Sequence, residues 1–386
     1  MRPVPVIHVI TKLEFGGAQQ NTLHTVANLD RRRFQPVLMA GPDGYLMPQA
    51  RHLDVPLGIV PSMERPLNPV ADLRAYRELV DLLTPLGRQR AIVHTHSSKA
   101  GILGRWAARK AGIPVIIHSI HGFGFTPEQG FMEYRLLRGA ERITSRITDH
   151  FIAVSEANRK DGIRYGLFGP DECTVIRSGF DLQRFRSAPA HEERLAVEAG
   201  LPPGCPVVLM VACLKPQKAP LDFVRMAAQV HPRMPGTRFL IAGDGELRGA
   251  LEEEIKRLGL AGILVPLGWR EDVPELIKSS RVVVLTSRWE GLPRVIPQAK
   301  AAGRPVVATA VDGSVEAIRE GVDGFLCPPG DVKALADRVL ALLADGELAE
   351  TMGREGARTV DEFDENTMVR RQEELYGRLL EEKGLW

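Results

Sequence analysis

Three groups of residues have types and spacing that could do chemistry. Glu290 and Gly291 lie in a polar loop directly after an apolar run, Val282 to Leu285. In an open parallel sheet ligands collect beyond the carboxyl ends of strands, so a carboxylate there would face a cleft. A loop glutamate taken alone is more commonly a solvated residue. Gly16 and Gly17 lie in the loop Lys12 to Gln19, after the first apolar run and before a helical pattern. Glycine lets backbone approach a ligand closely, and the N–H groups opening the next helix suit a phosphate. His94 with His96, and His118 with His121, end two further apolar runs. Four imidazoles could hold zinc, but they come with no cysteine and no helix-spaced His-Glu-His pattern, which makes a weak metal site.

The elements that must position these residues alternate along the chain. Apolar runs at Val6 to Ile10, Pro36 to Ala40, Ala91 to Thr95, Val115 to Ile120 and His150 to Val154 read as buried strands. Helical patterns separate them, at Ala18 to Asn28, Leu73 to Leu83, Lys99 to Ala111 and Tyr134 to Thr148. Such alternation predicts a parallel sheet covered on both faces. It breaks in the Pro- and Gly-bearing stretch 186–206, where a linker is expected, and resumes with six more strands, from Val207 to Cys327. Around Glu290 the pattern is strand, loop, a helix expected from Pro293 to Gly303, and a strand at Val306 to Ala308. The expected organisation is a first domain over 1–185, a linker over 186–206, a second domain over 207–366 and a final helix over 367–386.

Composition narrows the classes. The chain has 386 residues, 44% hydrophobic and 25% charged, the balance of a globular protein with room for two domains. Its four cysteines are scattered, which argues against a disulfide framework or a zinc ribbon and fits a reducing cytoplasm. The apolar run at the N-terminus is too short for a signal peptide or a membrane span and reads as a strand. Charge is uneven: residues 1–185 carry 24 Lys and Arg against 17 Asp and Glu, and residues 186–386 carry 26 against 31. A basic front half hints at an anionic partner, and Arg135, Arg138, Arg142 and Arg146 fall three or four apart on one helical face. That face is expected to rest on anionic membrane. No nucleic-acid partner is expected.

Several loops together resemble the family-4 retaining glycosyltransferases. Glu290, Gly291, Leu292 and Pro293, with Ser287 before them and Ala302 to Val307 after, are similar to the family's Glu, seven residues, Glu signature, with Gln298 at the second Glu. The resemblance implies that Glu290 contacts the donor sugar and that position 298 contacts the nucleotide ribose, for which an amide serves. The run Val211 to Ala219 resembles the segment whose Arg and Lys hold the donor diphosphate. Lys218 matches that Lys, Cys213 replaces the Arg, and Lys215 could reach the same phosphate. Gly17 lies where the family has its glycine loop, and Gly243, between a strand and a helix, can admit the nucleotide close to the backbone. Arg270 lies in the loop whose backbone pairs with the donor base, and His121 aligns with the histidine beside the donor sugar. His94, His96 and His118 read as structural histidines.

The resemblance covers Ile7 to about Leu343. It implies the GT-B fold, two doubly wound Rossmann-like domains facing a cleft with the last helix crossing back to the first domain, and a cytoplasmic enzyme, peripheral on the inner face of the membrane. The expected reaction moves a hexose from a nucleotide-sugar, a UDP-sugar above all, to an acceptor hydroxyl with retention. The setting is cell-envelope or exopolysaccharide glycan synthesis, on a glycan or lipid-linked acceptor. The expected catalytic residues are Glu290, Lys218 and His121, and the donor-binding set is Gly17, Lys215, Gly243, Arg270, Gly291, Leu292 and Gln298. No cofactor and no metal are expected. The alternatives are a non-catalytic nucleotide-sugar-binding subunit, suggested by Cys213 and Gln298, and a nucleotide-sugar epimerase.

Overall fold

A computed structural model describes residues 2–87, 90–125 and 130–386. The chain divides into two compact units, one of residues 1–179 with 365–386, the other of residues 180–364.

The first unit is a seven-stranded parallel sheet, β1 (Val4–Ile10), β2 (Phe34–Ala40), β3 (Leu57–Ile59), β4 (Ile92–His96), β5 (Val115–Ile120), β6 (His150–Ala153) and β7 (Cys173–Val175). Their order is β3-β2-β1-β4-β5-β6-β7, which reverses between β1 and β4. Side chains alternate across a strand, so each strand feeds two cores. Val4 and Val6 of β1, Ile92 of β4 and Val115 and Ile117 of β5 pack under Met368, Leu375, Tyr376 and Leu379 of the helix Glu365–Glu382. Ile7, Val9, Val93 and Ile116 point the other way, against Ala75, Leu79, Ala100 and Ala107. The helix Glu365–Glu382 therefore completes the first unit, although nearly two hundred residues separate it from β7 in sequence.

The second unit repeats the plan with β8 (Val207–Val211), β9 (Arg238–Ala242), β10 (Leu264–Gly268), β11 (Val282–Leu285), β12 (Val306–Thr309) and β13 (Gly324–Cys327). The order β10-β9-β8-β11-β12-β13 reverses between β8 and β11. Its core is Val208, Met210, Phe223, Val224, Phe239, Ile241, Val282, Val284, Val307 and Leu335, all fully buried.

Three features differ from the pattern read in the sequence. Residues 186–206, expected as a linker built on a short charged helix, do hold that helix, Glu192–Ala199, but are packed into the second unit. Leu195 and Leu201 are buried there, and Arg194 reaches Asp272 at 2.5 Å. The helix after Glu290 is shorter than expected, Val295–Ala301. Its first i to i−4 bond joins Gln298 N to Arg294 O, so Pro297 falls in the opening turn, where a missing N–H costs nothing. β3 and β7 are edge strands of three residues each, too short to leave a periodic signal.

Candidate active site

Lys215 and Lys218 lie in the loop after β8, and Glu290, Gly291 and Leu292 in the loop after β11. These are the carboxyl ends of the two strands where the second sheet reverses, the place where doubly wound sheets open a crevice. The two loops are stitched into one piece. Arg288 N–H donates to Gln217 O at 2.7 Å, Gln217 Nε2 donates to Trp289 O at 3.0 Å, and Thr286 Oγ1 donates to Lys218 O at 2.8 Å. This brings Lys218 Nζ onto Glu290 Oε1, the oxygen that also accepts from Ser287 Oγ at 2.6 Å. The Glu290 N–H in turn donates to Asp312 Oδ2 at 2.7 Å. The glutamate side chain is only 5% exposed, against 20% for the lysine. One N–H of the ammonium is thus committed to Glu290, and two are left to donate elsewhere.

Backbone strain collects at the same places. Among the described residues the non-glycine positions with positive φ are Ser97, Ala219 and Asp312. Ala219 follows Lys218, Asp312 holds the Glu290 amide, and Ser97 follows β4. A left-handed non-glycine residue costs about 1 to 2 kcal/mol, and such residues gather at functional sites because the surrounding loops hold them there.

Of the other residues expected to bind the donor, Gly291 and Leu292 are buried beneath Gly313. A Cβ on Gly313 would meet Gly291 O at 2.3 Å. Gly243, at φ +142, has a role inside the fold, because a Cβ there would strike Ala212 O at 1.9 Å. Arg270 forks onto Asp272 at 2.6 and 2.7 Å and reaches Glu198 at 2.9 Å. These carboxylates raise its pKa, and the Arg270 guanidinium in turn pulls that of Asp272 below the usual range. The Arg270 side chain is therefore engaged by carboxylates of its own loop and of the helix Glu192–Ala199. Gln298 is half-buried in the helix Val295–Ala301, and Cys213 is a half-buried free thiol.

In the first unit the loops after β1, β4 and β5 come together. Thr11 Oγ1 lies 2.7 Å from Ser97 Oγ and accepts from Ala100 N at 3.1 Å. Gly17 opens the helix Gly17–Asn28. The histidines form two groups set by strand parity. His118 faces the helix Ser98–Ala111 side, bonded to Thr95 Oγ1 at 2.9 Å. His8, His94 and His96, with Ser119 and His121, share the parity of Val6, Ile92 and Ile117. His94 Nδ1 meets Tyr376 Oη at 2.6 Å and its Nε2 meets Ser119 Oγ at 2.7 Å. His8 Nδ1 lies 2.9 Å from His96 Nε2, and His96 Nδ1 lies 3.2 Å from His121 Nε2. Burial lowers the pKa of His8 to about 3 and holds those of His94, His96 and His118 well below the ordinary value, so these rings are neutral near pH 7. Ligand atoms of His8, His94 and His96 lie within 4.8 Å of one another, but both nitrogens of His94 and of His96 are already hydrogen-bonded.

Sequence reasoning overlooked His8, Thr286 and Asp312. A polar residue inside the fully buried run Val4–Ile10 was the signal for His8, and an Asp-Gly pair after β12 was the signal for Asp312.

Residues 15–184 match the family described as Glycosyltransferase Family 4, and residues 205–345 match Glycosyl transferases group 1. The chain is 31% identical over 347 residues, 89% of its own length and 88% of the other's, to the UDP-Gal:alpha-D-GlcNAc-diphosphoundecaprenol alpha-1,3-galactosyltransferase of Escherichia coli. The chain belongs to glycosyltransferase family 4. This family-4 glycosyltransferase is also 26% identical, over 81% of its length and 83% of the other's, to a Campylobacter jejuni enzyme. That relative is the N,N'-diacetylbacillosaminyl-diphospho-undecaprenol alpha-1,3-N-acetylgalactosaminyltransferase. Among solved structures it resembles Anabaena HepE in complex with UDP, at a TM-score of 0.83 and 22% identity over 97% of this chain and 100% of that one. WaaG, a glycosyltransferase of lipopolysaccharide biosynthesis, matches at 0.77 and 17% identity over 96% and 99%. These likenesses establish the fold of the family-4 glycosyltransferase as GT-B.

Proposed function

We propose that this glycosyltransferase moves a sugar, with retention, from a UDP-sugar to a hydroxyl of a lipid-linked glycan during cell-envelope glycan synthesis. The observation that carries the reading is the joined pair of Lys218 and Glu290 at the reversal point of the second sheet. It is supported by the lipid-diphosphate acceptors named for the Escherichia coli and Campylobacter jejuni relatives. In this reading Lys218 donates its two remaining N–H groups to the donor diphosphate, with Lys215 as a second cation. Negative charge grows on that diphosphate as the sugar departs, so both contacts strengthen in the transition state. Glu290 holds the ammonium in place and accepts from a sugar hydroxyl. Gln298 takes the ribose, and loop backbone near Arg270 reads the base. A covalent double displacement needs a carboxylate nucleophile, which the amide of Gln298 cannot be. A front-face route, in which a donor phosphate oxygen takes the acceptor proton, fits the residues present and calls for no metal.

The test is a panel of nucleotide-sugars offered with a polyprenyl-diphosphate-linked acceptor, scored by UDP release and by the anomeric configuration of the product. Transfer from one UDP-sugar with an α-configured product is expected. Donor binding without transfer or hydrolysis across the panel overturns the reading in favour of a non-catalytic subunit, and conversion of donor without acceptor favours an epimerase.

The same reading places the first unit on the membrane through the helix Phe131–Ser145. Met132, Leu136 and Ile143 make an exposed apolar stripe, with Leu136 69% exposed, beside the basic stripe of Arg135, Arg138, Arg142 and Arg146. No helix among the described residues is long and apolar enough to cross a membrane, so association by this face would be interfacial. In vesicle sedimentation the protein should pellet with anionic lipid, less at high salt, and less again as the Leu136→Asp, Ile143→Asp double variant. Equal pelleting with neutral lipid refutes membrane docking by this helix.

A further inference from the structure

The lysine two residues after Gln298 is turned into the fold. Lys300 is 3% exposed and Asp323 fully buried; Lys300 Nζ lies 3.1 Å from Asp323 Oδ2 and donates to Ala317 O at 2.8 Å. Burial lowers the Lys300 pKa, and the Asp323 carboxylate opposes that shift. The carboxylate also accepts from Arg319 N at 2.9 Å and from Arg319 Nε at 2.7 Å. The lysine stem lies on the helix Gly346–Ala357, where a Cβ at Gly356 would meet Lys300 Cγ at 3.0 Å. A buried ion pair is weak support for stability, since apolar side chains of the same volume often do as well. This one fixes geometry. Ala317 ends the helix Asp312–Ala317, so the ammonium satisfies a carbonyl that the last turn of that helix leaves open. The opposite end of the same helix holds the Glu290 N–H through Asp312, and its Gly313 lies against Gly291. The helices Val295–Ala301 and Asp312–Ala317 have seven and six residues, too few to persist without tertiary contacts. Positions two apart on a helix are turned by about 200°, so a Lys300 locked inward carries the half-buried Gln298 on the other side.

We propose that Lys300 is a positioning residue for the nucleotide: gripping Asp323 and Ala317 O, it fixes the roll of the helix Val295–Ala301, and with it the place of Gln298 relative to the Glu290 loop. The inference rests on the assignment of Gln298 to the ribose made above, and every residue in it belongs to the second unit. Lys300 touches no ligand and acts only through Gln298. An amide already held in place costs no ordering when a nucleoside diphosphate binds, which is how preorganisation raises affinity.

The experiment is calorimetric titration of UDP into the full chain as wild type, Lys300→Met, Gln298→Ala and the double variant, each first shown by circular dichroism to be folded at the titration temperature. Lys300→Met keeps an apolar stem and drops the charge, while Asp323 retains both Arg319 bonds, so the fold should hold. Each single variant should bind UDP roughly 10-fold more weakly, and the double variant no more weakly than Gln298→Ala alone, the non-additivity of residues that act through one contact. A lysine with a merely structural role gives another pattern. Affinity within about 2-fold of wild type in Lys300→Met, or losses that multiply in the double variant, overturns the proposal. If Lys300→Met does not fold, Asp323→Asn takes its place in the same cycle with the same outcomes, since the amide keeps the shape and still accepts from Arg319 N. A wild-type chain that binds no UDP, or that binds it as tightly without the Gln298 amide, refutes the ribose assignment itself and takes this inference down with it.

Discussion

Lys218→Ala should lower kcat by roughly 100- to 1000-fold, about 3 to 4 kcal/mol, the usual cost of removing one preorganised group that stabilises developing charge. The loss should appear in kcat because the diphosphate gains charge only as the sugar leaves. The structure adds a control. Lys218 is also the ion-pair partner of Glu290, a nearly buried carboxylate otherwise held by Ser287. Truncating one member of a buried pair destabilises by itself, by as much as 3 to 5 kcal/mol. Lys218→Gln keeps a hydrogen bond to Glu290 without the charge, and should show the kcat loss with less loss of thermal stability. Lys215→Ala should be milder, and the Lys215, Lys218 double variant worse than additive. Gln298→Ala should raise KM and leave kcat nearly intact, since a ribose contact does not change during the reaction. Steady-state kinetics at saturating acceptor separates these outcomes, and a Lys218→Gln enzyme altered only in KM would remove Lys218 from the leaving-group role.

Acidification should loosen the first unit before the second. A buried histidine whose folded pKa is lowered stays neutral while its unfolded counterpart takes up a proton. Its stabilising contribution is complete above the ordinary value near 6.5 and is lost as pH falls toward the folded value. For His8, with a folded pKa of about 3, that loss is about 2 kcal/mol at pH 5 relative to pH 8. His94, His96 and His118 act in the same direction for the same cause, burial, with neighbouring charges adding to it. His150, lowered to about 4, joins them below pH 6.5. The second unit contains only His191 and His231. Amide exchange followed by mass spectrometry should show protection in β1, β4 and β5 falling by about 30-fold or more between pH 8 and pH 5, after correction for the intrinsic rate. Equal loss in β8 and β11 over the same interval would show that the histidines are not the cause.

Much of this was legible before any coordinates. Apart from the edge strands β3 and β7, the strands of both sheets stood out because each is a buried apolar run, and doubly wound order follows from their alternation with helices. Glu290 and Lys218 stood out because their local segments are distinctive. What could not be read was that they touch, since 72 residues separate them and the contact depends on Thr286 and Gln217 tying one loop to the other. His8 was unreadable for a related reason: its meaning lies in the register that sets it opposite His94, and register is a property of pairing. The helix after Glu290 looked longer because Pro293 and Gly303 are ordinary helix punctuation. The chain instead uses Leu292 and Pro293 to place the loop, and begins its helix at Val295.

Because residues 365–386 belong to the first unit, the second unit is in effect an insertion, and synthesis on the ribosome inverts the usual order of events. The sheet made first lacks the cover for part of one face until Met368, Leu375, Tyr376 and Leu379 have been translated, whereas the second unit has its whole core by residue 364. Each of those apolar side chains contributes about 1.5 to 3 kcal/mol on burial, so together they rival the net stability of a domain. The nascent chain should therefore emerge with its later half folded and its earlier half waiting, and a ribosome stalled just short of the last helix would display an open, histidine-lined sheet face for chaperones to hold.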